Sequence, residues 1–117
     1  MSVSETVESH HAEMARMKQR APEIARAFGS MFAPLMKAGA LTALEKELIA
    51  LGIGIAMRCE PCIWSHVEKC LSLGATPEQI IETAGVAVVM QGGPAYTYVA
   101  KVIQVLEQLR PAAAAEA

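Results

Sequence analysis

The sequence predicts an all-α protein, a single-domain bundle of about six helices that assembles as a homo-oligomer. Helix-forming residues dominate the chain, and no segment shows the alternating pattern of a strand. Proline and glycine divide the chain into segments of helical length. The composition is 53% hydrophobic but only 4% aromatic, which is more apolar side chain than one core of 117 residues conveniently buries. This surplus favours the association of several copies.

Two helices precede the predicted core. The N-terminal segment, residues 1–20, contains the first helix. This helix is predicted over Ser4–Arg20 and has only a narrow apolar face. Pro22 suits the first turn of the second helix, because its missing N–H has no partner there, and this helix runs to Gly39. Its apolar residues recur at helical spacing and are Ile24, Phe28, Phe32 and Leu35.

The predicted core spans residues 41–110 and begins with a capping box. Thr42 and Glu45 stand three residues apart, so each side chain can accept a hydrogen bond from the other's backbone N–H at a helix start. The near-continuous apolar run Leu48–Met57 follows, which predicts a central, buried third helix. Arg58–Pro61 interrupts this helix, because the residue before a proline disfavours helical dihedral angles.

The fourth and fifth helices have clear boundaries in the sequence. The fourth is predicted over Pro61–Leu73 and stops at Gly74, a residue suited to a helix C-terminus. The run Thr76-Pro77-Glu78-Gln79 combines a capping threonine, a first-turn proline and a glutamine at the third helical position. The fifth helix therefore starts there and runs to Gln91.

The sixth helix follows a turn at Gly92-Gly93-Pro94 and is predicted to run to Arg110, where Pro111 ends it and leaves 111–117 as a frayed tail. The longest uncharged stretch, Thr83–Ala100, contains this turn. Each half is therefore too short to cross a bilayer, and no membrane association is expected.

Charge and residue usage exclude several functions. The 12 glutamates nearly balance the 10 basic residues, so the chain offers no broad surface for nucleic acid or anionic lipid. The absence of any aspartate or asparagine excludes an EF-hand, an aspartic protease dyad and a Ser-His-Asp triad. No secretory signal is visible, so we expect a cytoplasmic protein. In that reducing compartment a close cysteine pair is catalytic or metal-binding rather than a structural crosslink.

One segment carries the elements of thiol chemistry. Cys59 and Cys62 straddle a predicted helix start, where free backbone N–H groups and the helix dipole stabilise a thiolate. Their spacing allows the sulfurs to form a disulfide within one turn. His66 follows four residues after Cys62 and seven after Cys59, so the three side chains share a helix face. Its imidazole can accept the proton of Cys62.

Two other interpretations compete with redox chemistry. The cysteines can be inert packing residues, since buried cysteine behaves as a small hydrophobe. Alternatively, the segment could bind a metal, since the potential ligands Cys59, Cys62, His66 and Cys70 lie on one face of the helix. A helix rises about 16 Å from residue 59 to residue 70, however, so the first and last cannot share an ion. We therefore expect no metal and interpret Cys70 as a buried hydrophobe.

The segment resembles a known family. Glu47, the run Cys59-x-x-Cys62-x-x-x-His66 and the later Leu73-Gly74-Ala75-Thr76 are similar to the alkylhydroperoxidase branch of the carboxymuconolactone decarboxylase superfamily. The resemblance covers most of the chain. It implies an all-helical fold assembled as a homotrimer or homohexamer. It also implies a thiol-dependent peroxidase or disulfide reductase that uses no metal, prosthetic group or other cofactor.

The resemblance also implies the role of each residue. Cys62 is the attacking thiol, Cys59 is its resolving partner, and His66 relays the proton with Glu47 behind it, through water. This chain departs from the family pattern in one place: Pro61 stands where well-studied peroxidase members have a second histidine. The proton relay is therefore expected to be shorter here.

The expected activity is reduction of a hydroperoxide substrate through the cysteine pair, with an external thiol or dithiol protein as the reductant. Two other functions stay open. A cofactor-free decarboxylase or lactone-type enzyme would use His66 and Glu47 as acid and base. A non-catalytic oligomeric module would need none of these side chains.

Four aromatic residues near these elements are expected to have ordinary roles. Trp64 is interpreted as a packing or interface residue, and Tyr96 belongs first to the turn before the sixth helix. His10 and His11 lie on the polar first helix, so we expect both to be solvated.

Overall fold

The computed structural model describes residues 2–116 and, for residues 3, 4 and 110–116, the backbone alone. The six helices are α1 (Val3–Arg20), α2 (Pro22–Met36), α3 (Ala43–Ala56), α4 (Glu60–Ser72), α5 (Pro77–Gln91) and α6 (Gly93–Glu116). No strand occurs in residues 2–116, so the all-α prediction is confirmed. None of the helices in this range combines the length and apolar character needed to cross a bilayer.

The core lies among the last four helices. α3 packs against α4 and α5, and α6 packs against α5 and α4 on the other side. The fully buried side chains come from all four helices and are mostly branched aliphatic. The largest are Leu51, Ile55, Ile63, Val67, Ile80, Val102 and Val105. The core is thus built almost without aromatic residues, as the composition indicates. α1 adds only Val7 to it, and α2 adds no buried side chain.

Both predicted capping boxes are present. At the start of α3, the Thr42 hydroxyl accepts from the Glu45 N–H at 3.0 Å, and the Glu45 carboxylate accepts from the Thr42 N–H at 2.8 Å. These hydrogen bonds hold the pKa of Glu45 below its ordinary value. Thr76 and Gln79 form the same reciprocal pair at the start of α5. Local side-chain chemistry therefore sets both helix starts.

The junction between α3 and α4 is tight. The Arg58 N–H donates to the Ile55 carbonyl and the Cys59 N–H donates to the Gly54 carbonyl, both at 3.0 Å. This pair of hydrogen bonds is the Schellman arrangement, and it places Arg58 in the left-handed region with φ 54°. A side chain in that region costs roughly 1–2 kcal/mol, because Cβ crowds the following carbonyl oxygen. α4 begins immediately after Cys59.

Three helices differ from their predicted extent or burial. α2 ends at Met36, so its predicted end at Gly39 is three residues too far. α6 continues through Pro111 to Glu116, so the predicted end at Arg110 and the frayed tail are wrong for residues 111–116; Ala117 lies outside the described residues. The alanines after Pro111 have the highest helix propensity and carry the helix onward. α3 is central as predicted, but it is not buried all round.

The exposed face of α3 borders a groove. Ile49 and Ile53 are 51% and 55% exposed, because α4 and α5 cover only part of the α3 surface. Facing residues of α5, among them Val86 and Met90, form the other side of this apolar groove of about 390 Å³. None of the side chains of α2 is buried, although its apolar spacing is helical as predicted. A single chain thus leaves two apolar helix surfaces in contact with solvent.

Candidate active site

The two cysteines meet at the start of α4. Cys59 is the N-cap residue, and its Sγ accepts a hydrogen bond from the Cys62 N–H at 3.3 Å. The two residues form a disulfide with Cα atoms 5.2 Å apart. The cysteines straddle the helix start, as predicted. The N–H of Cys62 points at Cys59 Sγ, because an N-cap side chain is the one that reaches the third N–H of the helix. This position stabilises negative charge on Cys59 Sγ.

Gly54 of α3 supports both cysteines. Its carbonyl accepts the Cys59 N–H, and a Cβ added to it would lie 2.9 Å from Cys62 Cβ. The glycine therefore allows the backbone of α3 to touch the first turn of α4. This role was not predicted from the sequence. The signal was a glycine inside an otherwise continuous apolar helix, which is typical of close backbone approach.

Glu47 and His66 form a second pair. The Glu47 Oε2 and His66 Nδ1 atoms are 2.6 Å apart. Glu47 is the one charged residue described as buried, with 4% of its surface exposed, so the histidine supplies the partner that a buried carboxylate requires. The contact is direct, and the expected relay through water is wrong at this step, because packing of α3 on α4 already brings the two groups together. Since Nδ1 faces Glu47, the other ring nitrogen, Nε2, is left to accept a proton.

Cys62 and His66 lie one helical turn apart on α4, but the cysteine pair and the Glu47–His66 pair are not in contact through a hydrogen bond. No hydrogen bond links His66 to either sulfur among the described residues. Glu47 and His66 instead line an open pocket of about 330 Å³, together with Phe32, Ser65 and Lys69. Neither cysteine lines this pocket. The disulfide form therefore presents a carboxylate–imidazole pair and an adjacent sulfur pair as neighbouring elements.

A salt bridge flanks the cysteines. The Lys101 Nζ of α6 lies 2.8 Å from Glu60 Oε1, and this carboxylate raises the pKa of Lys101 above its ordinary value. The same ammonium lies 5.6 Å from the centre of the Tyr98 ring. A negative charge on Glu60 opposes a thiolate beside it, and the salt bridge offsets part of that charge. Lys101 was not predicted as part of the site, because no local sequence pattern connects it to Glu60 on another helix.

Cys70 is separate from this chemistry. Its side chain is fully buried, as predicted. Burial, and to a smaller extent the charge of Glu47, raises the pKa of its thiol to about 12. Cys70 therefore stays protonated at neutral pH. Among the residues that the structure describes, no group of three or more His, Cys, Asp or Glu side chains is arranged to hold a metal ion.

Trp64 of α4 contacts α1 near the cysteine pair. It packs against the core, as the sequence indicated, and its ring meets His10 edge-on with centroids 5.7 Å apart. His10 is therefore only partly solvated, and the prediction that it is solvated holds for His11 alone. α1 thus contacts the helix that carries the cysteines. Tyr96 is 70% exposed at the start of α6.

The sequence is similar to a known protein family and to individual bacterial proteins. Residues 22–105 match the model of the carboxymuconolactone decarboxylase family. An uncharacterised protein of Cupriavidus necator is 33% identical in an alignment of 107 positions that covers 80% of this chain and 95% of that protein. A protein of the cox locus of Paracoccus denitrificans is 39% identical over 71 residues, which cover 61% of this chain and 64% of that protein.

Solved structures agree with the fold. A carboxymuconolactone decarboxylase family protein from Legionella pneumophila superposes with a TM-score of 0.86 at 34% identity, over 91% of this chain and 95% of its own. A family member from Thermotoga maritima, for which a role in the antioxidative response has been suggested, gives a TM-score of 0.80 at 25% identity, over 91% of each chain.

Proposed function

This chain belongs to the carboxymuconolactone decarboxylase family, and we propose that within it the protein is a cytoplasmic thiol-dependent peroxidase and disulfide oxidoreductase. One observation carries the proposal: Cys59 and Cys62 form a disulfide at the N-terminus of α4, and His66, one turn after Cys62, is paired with the buried Glu47. The suggested antioxidative role of the Thermotoga maritima relative supports the same class of chemistry.

The first step oxidises Cys62. In the reduced protein, Nε2 of His66 takes the thiol proton, and the Glu47 carboxylate stabilises the resulting imidazolium. The thiolate attacks one oxygen of the hydroperoxide, so that an S–O bond forms while the O–O bond breaks. The sulfur loses two electrons and becomes a sulfenic acid. The leaving alkoxide takes the proton from His66 and departs as an alcohol.

The second step forms the disulfide. Cys59 gives its proton to His66 and attacks the Cys62 sulfur, so the S–S bond forms and the S–O bond breaks. The departing hydroxide takes that proton and leaves as water. In the structure the Cys62 N–H donates a hydrogen bond to Cys59 Sγ. The same hydrogen bond would stabilise the attacking thiolate of Cys59. One hydroperoxide and two thiols thus yield an alcohol, water and the disulfide.

The third step regenerates the thiols. A dithiol protein or two small thiol molecules attack the disulfide in turn, first as a mixed disulfide and then with release of their own oxidised form. No metal or prosthetic group takes part in the proposed cycle. A reducing compartment supplies such thiols continuously, which is consistent with a cytoplasmic location.

A second candidate function has its own observation. The pocket beside Glu47 and His66 is not lined by either sulfur, so it offers an acid–base site independent of the cysteines. A decarboxylase or lactone-type enzyme would use that pair alone. The two functions differ in their dependence on Cys62.

The test is hydroperoxide consumption with a dithiol donor. We expect the wild-type protein to turn over and Cys62→Ser to lose the activity down to background, whereas Cys70→Ser keeps it, because Cys70 is buried and protonated. A Cys62→Ser protein that consumes hydroperoxide as fast as the wild type would contradict the proposal and favour the acid–base function.

A further inference from the structure

Arg58 has a backbone conformation that suits a different residue. It is the one non-glycine residue with positive φ among the described residues, at 54°. Gly74 occupies the same position after α4, with φ 95°, and the end of α4 has the same pair of backbone hydrogen bonds. Glycine bears no Cβ penalty there, so it is the residue that helix ends prefer at this position. The chain thus uses glycine at the end of α4 and an arginine at the equivalent end of α3.

Packing does not explain the arginine. Its side chain is exposed, and none of the hydrogen bonds or ion pairs among the described residues involves the guanidinium. Glycine would keep both backbone hydrogen bonds of the α3 end, since these come from main-chain atoms. Strained residues that the fold does not need are concentrated at functional sites.

The position of Arg58 indicates what the side chain does. It directly precedes Cys59, so their Cα atoms are about 3.8 Å apart. On the other side of Cys59, the charge of Glu60 is already balanced by Lys101. Of the two charged residues that adjoin Cys59 in the chain, Arg58 is therefore the one that has no ion-pair partner among the described residues. A guanidinium presents paired donors that match the two oxygens of a carboxylate.

We propose that Arg58 is a specificity-determining residue that attracts a carboxylate-bearing co-substrate to the Cys59–Cys62 pair. The inference rests on the proposed function, because it names the charge of the molecules that react there. The carboxylate can belong to the reducing thiol or to the hydroperoxide. Two experimental arms distinguish these sources.

The first arm measures reduction of the disulfide. Two thiol molecules reduce it and leave as their own disulfide, and the rate is compared for mercaptoacetate and uncharged 2-mercaptoethanol. The informative quantity is the ratio of the two rates in each protein, since the intrinsic reactivity of each thiol then cancels between proteins. We expect Arg58→Gly and Arg58→Gln to lower this ratio roughly three- to tenfold, and Arg58→Lys to keep most of it.

The second arm measures oxidation of the reduced protein. A fatty-acid hydroperoxide is compared with its methyl ester, which carries the same peroxide without the charge. A fall in the ratio in this arm alone assigns the carboxylate to the oxidant, and a fall in the first arm alone assigns it to the thiol. Added salt should reduce the wild-type preference, because it screens exposed charges.

The controls separate a local effect from a general one. Arg26→Gln removes the same charge from α2 and should leave both ratios unchanged. Arg58→Gly should also raise Tm by a few degrees, since glycine relieves the left-handed conformation. Ratios that stay unchanged in both Arg58→Gly and Arg58→Gln, or that fall equally in Arg26→Gln, would overturn the inference. A wild-type disulfide that no thiol reduces and no hydroperoxide forms would instead overturn the proposed function.

Discussion

At the scale of single residues, the reactivity of Cys62 needs more than its helix position. A helix N-terminus stabilises an exposed anion by about 0.3–1 kcal/mol, less than one pKa unit. A thiol with an ordinary pKa near 8.5 would therefore remain mostly protonated at neutral pH. Because the N–H of Cys62 is directed at Cys59, we propose that His66, one turn along α4, is the basic group for Cys62.

This reasoning predicts the pH dependence of Cys62 alkylation. In a Cys59→Ser/Cys70→Ser background, His66→Gln should move the midpoint of iodoacetamide reaction to higher pH, because the thiolate loses its imidazolium partner. Glu47→Gln should move it less in the same direction, since that carboxylate acts through the histidine. An unchanged midpoint in His66→Gln would contradict a thiolate–imidazolium pair.

Residue-scale features differ in how well the sequence predicts them. The cysteine pair and His66 follow from spacing along one helix, which fixes their relative positions without any tertiary knowledge. The contact between Glu47 and His66 spans 19 residues, and it was expected only through the family resemblance. Lys101 could not be predicted, because its partner Glu60 lies on another helix.

At the scale of helices, the close approach of α3 to α4 positions the cysteines. A Cβ at residue 54 would meet Cys62 Cβ at 2.9 Å, a contact that neither backbone can easily relieve. We expect Gly54→Ala to lower the free energy of unfolding by about 1–3 kcal/mol, as overpacking does, and to slow disulfide formation by hydroperoxide. Urea unfolding and stopped-flow thiol loss measure the two effects.

The control for this substitution is Gly85→Ala. Gly85 lies inside α5 with no atom within 4 Å of its added Cβ, so alanine should stabilise the helix by about 0.5–1 kcal/mol. Disulfide formation should not change. A Gly54→Ala protein as stable and as fast as the wild type would contradict the positioning role of this glycine.

The helix boundaries themselves were largely predictable, because capping chemistry is local. Thr42–Glu45 and Thr76–Gln79 mark the starts of α3 and α5 in the sequence and do so in the structure. The end of α6 was not predictable from Pro111 alone, since the propensity of the following alanines outweighed the proline. Burial of α2 and α3 depends on what covers them, which no local signal contains.

At the scale of the whole molecule, the exposed apolar surfaces argue for assembly. Ile24, Phe28 and Leu35 on α2 are 67%, 58% and 65% exposed, and the α3–α5 groove is apolar as well. Large exposed apolar surfaces are typical of protein interfaces. We propose that further copies of this chain cover them, as a homotrimer or homohexamer.

The oligomer predicts a specific outcome in analytical ultracentrifugation. The wild-type protein at micromolar concentration should show no appreciable monomer. Ile53→Glu should dissociate it, because a charge in the apolar groove loses its hydration when a partner binds. Gln104→Glu, an exposed substitution on α6 with the same added charge, should not. A folded wild-type monomer would contradict the proposal.

The redox cycle of the whole protein can be tested most directly by counting thiols. Fully reduced protein should have three thiols per chain when unfolded, in agreement with its 3 cysteines. After one equivalent of hydroperoxide, we expect two to be lost and Cys70 to remain, and a dithiol should restore both. Cys59→Ser/Cys62→Ser protein should lose none. A wild-type protein that keeps all its thiols, or a double variant that loses as many, would contradict a redox-active Cys59–Cys62 pair.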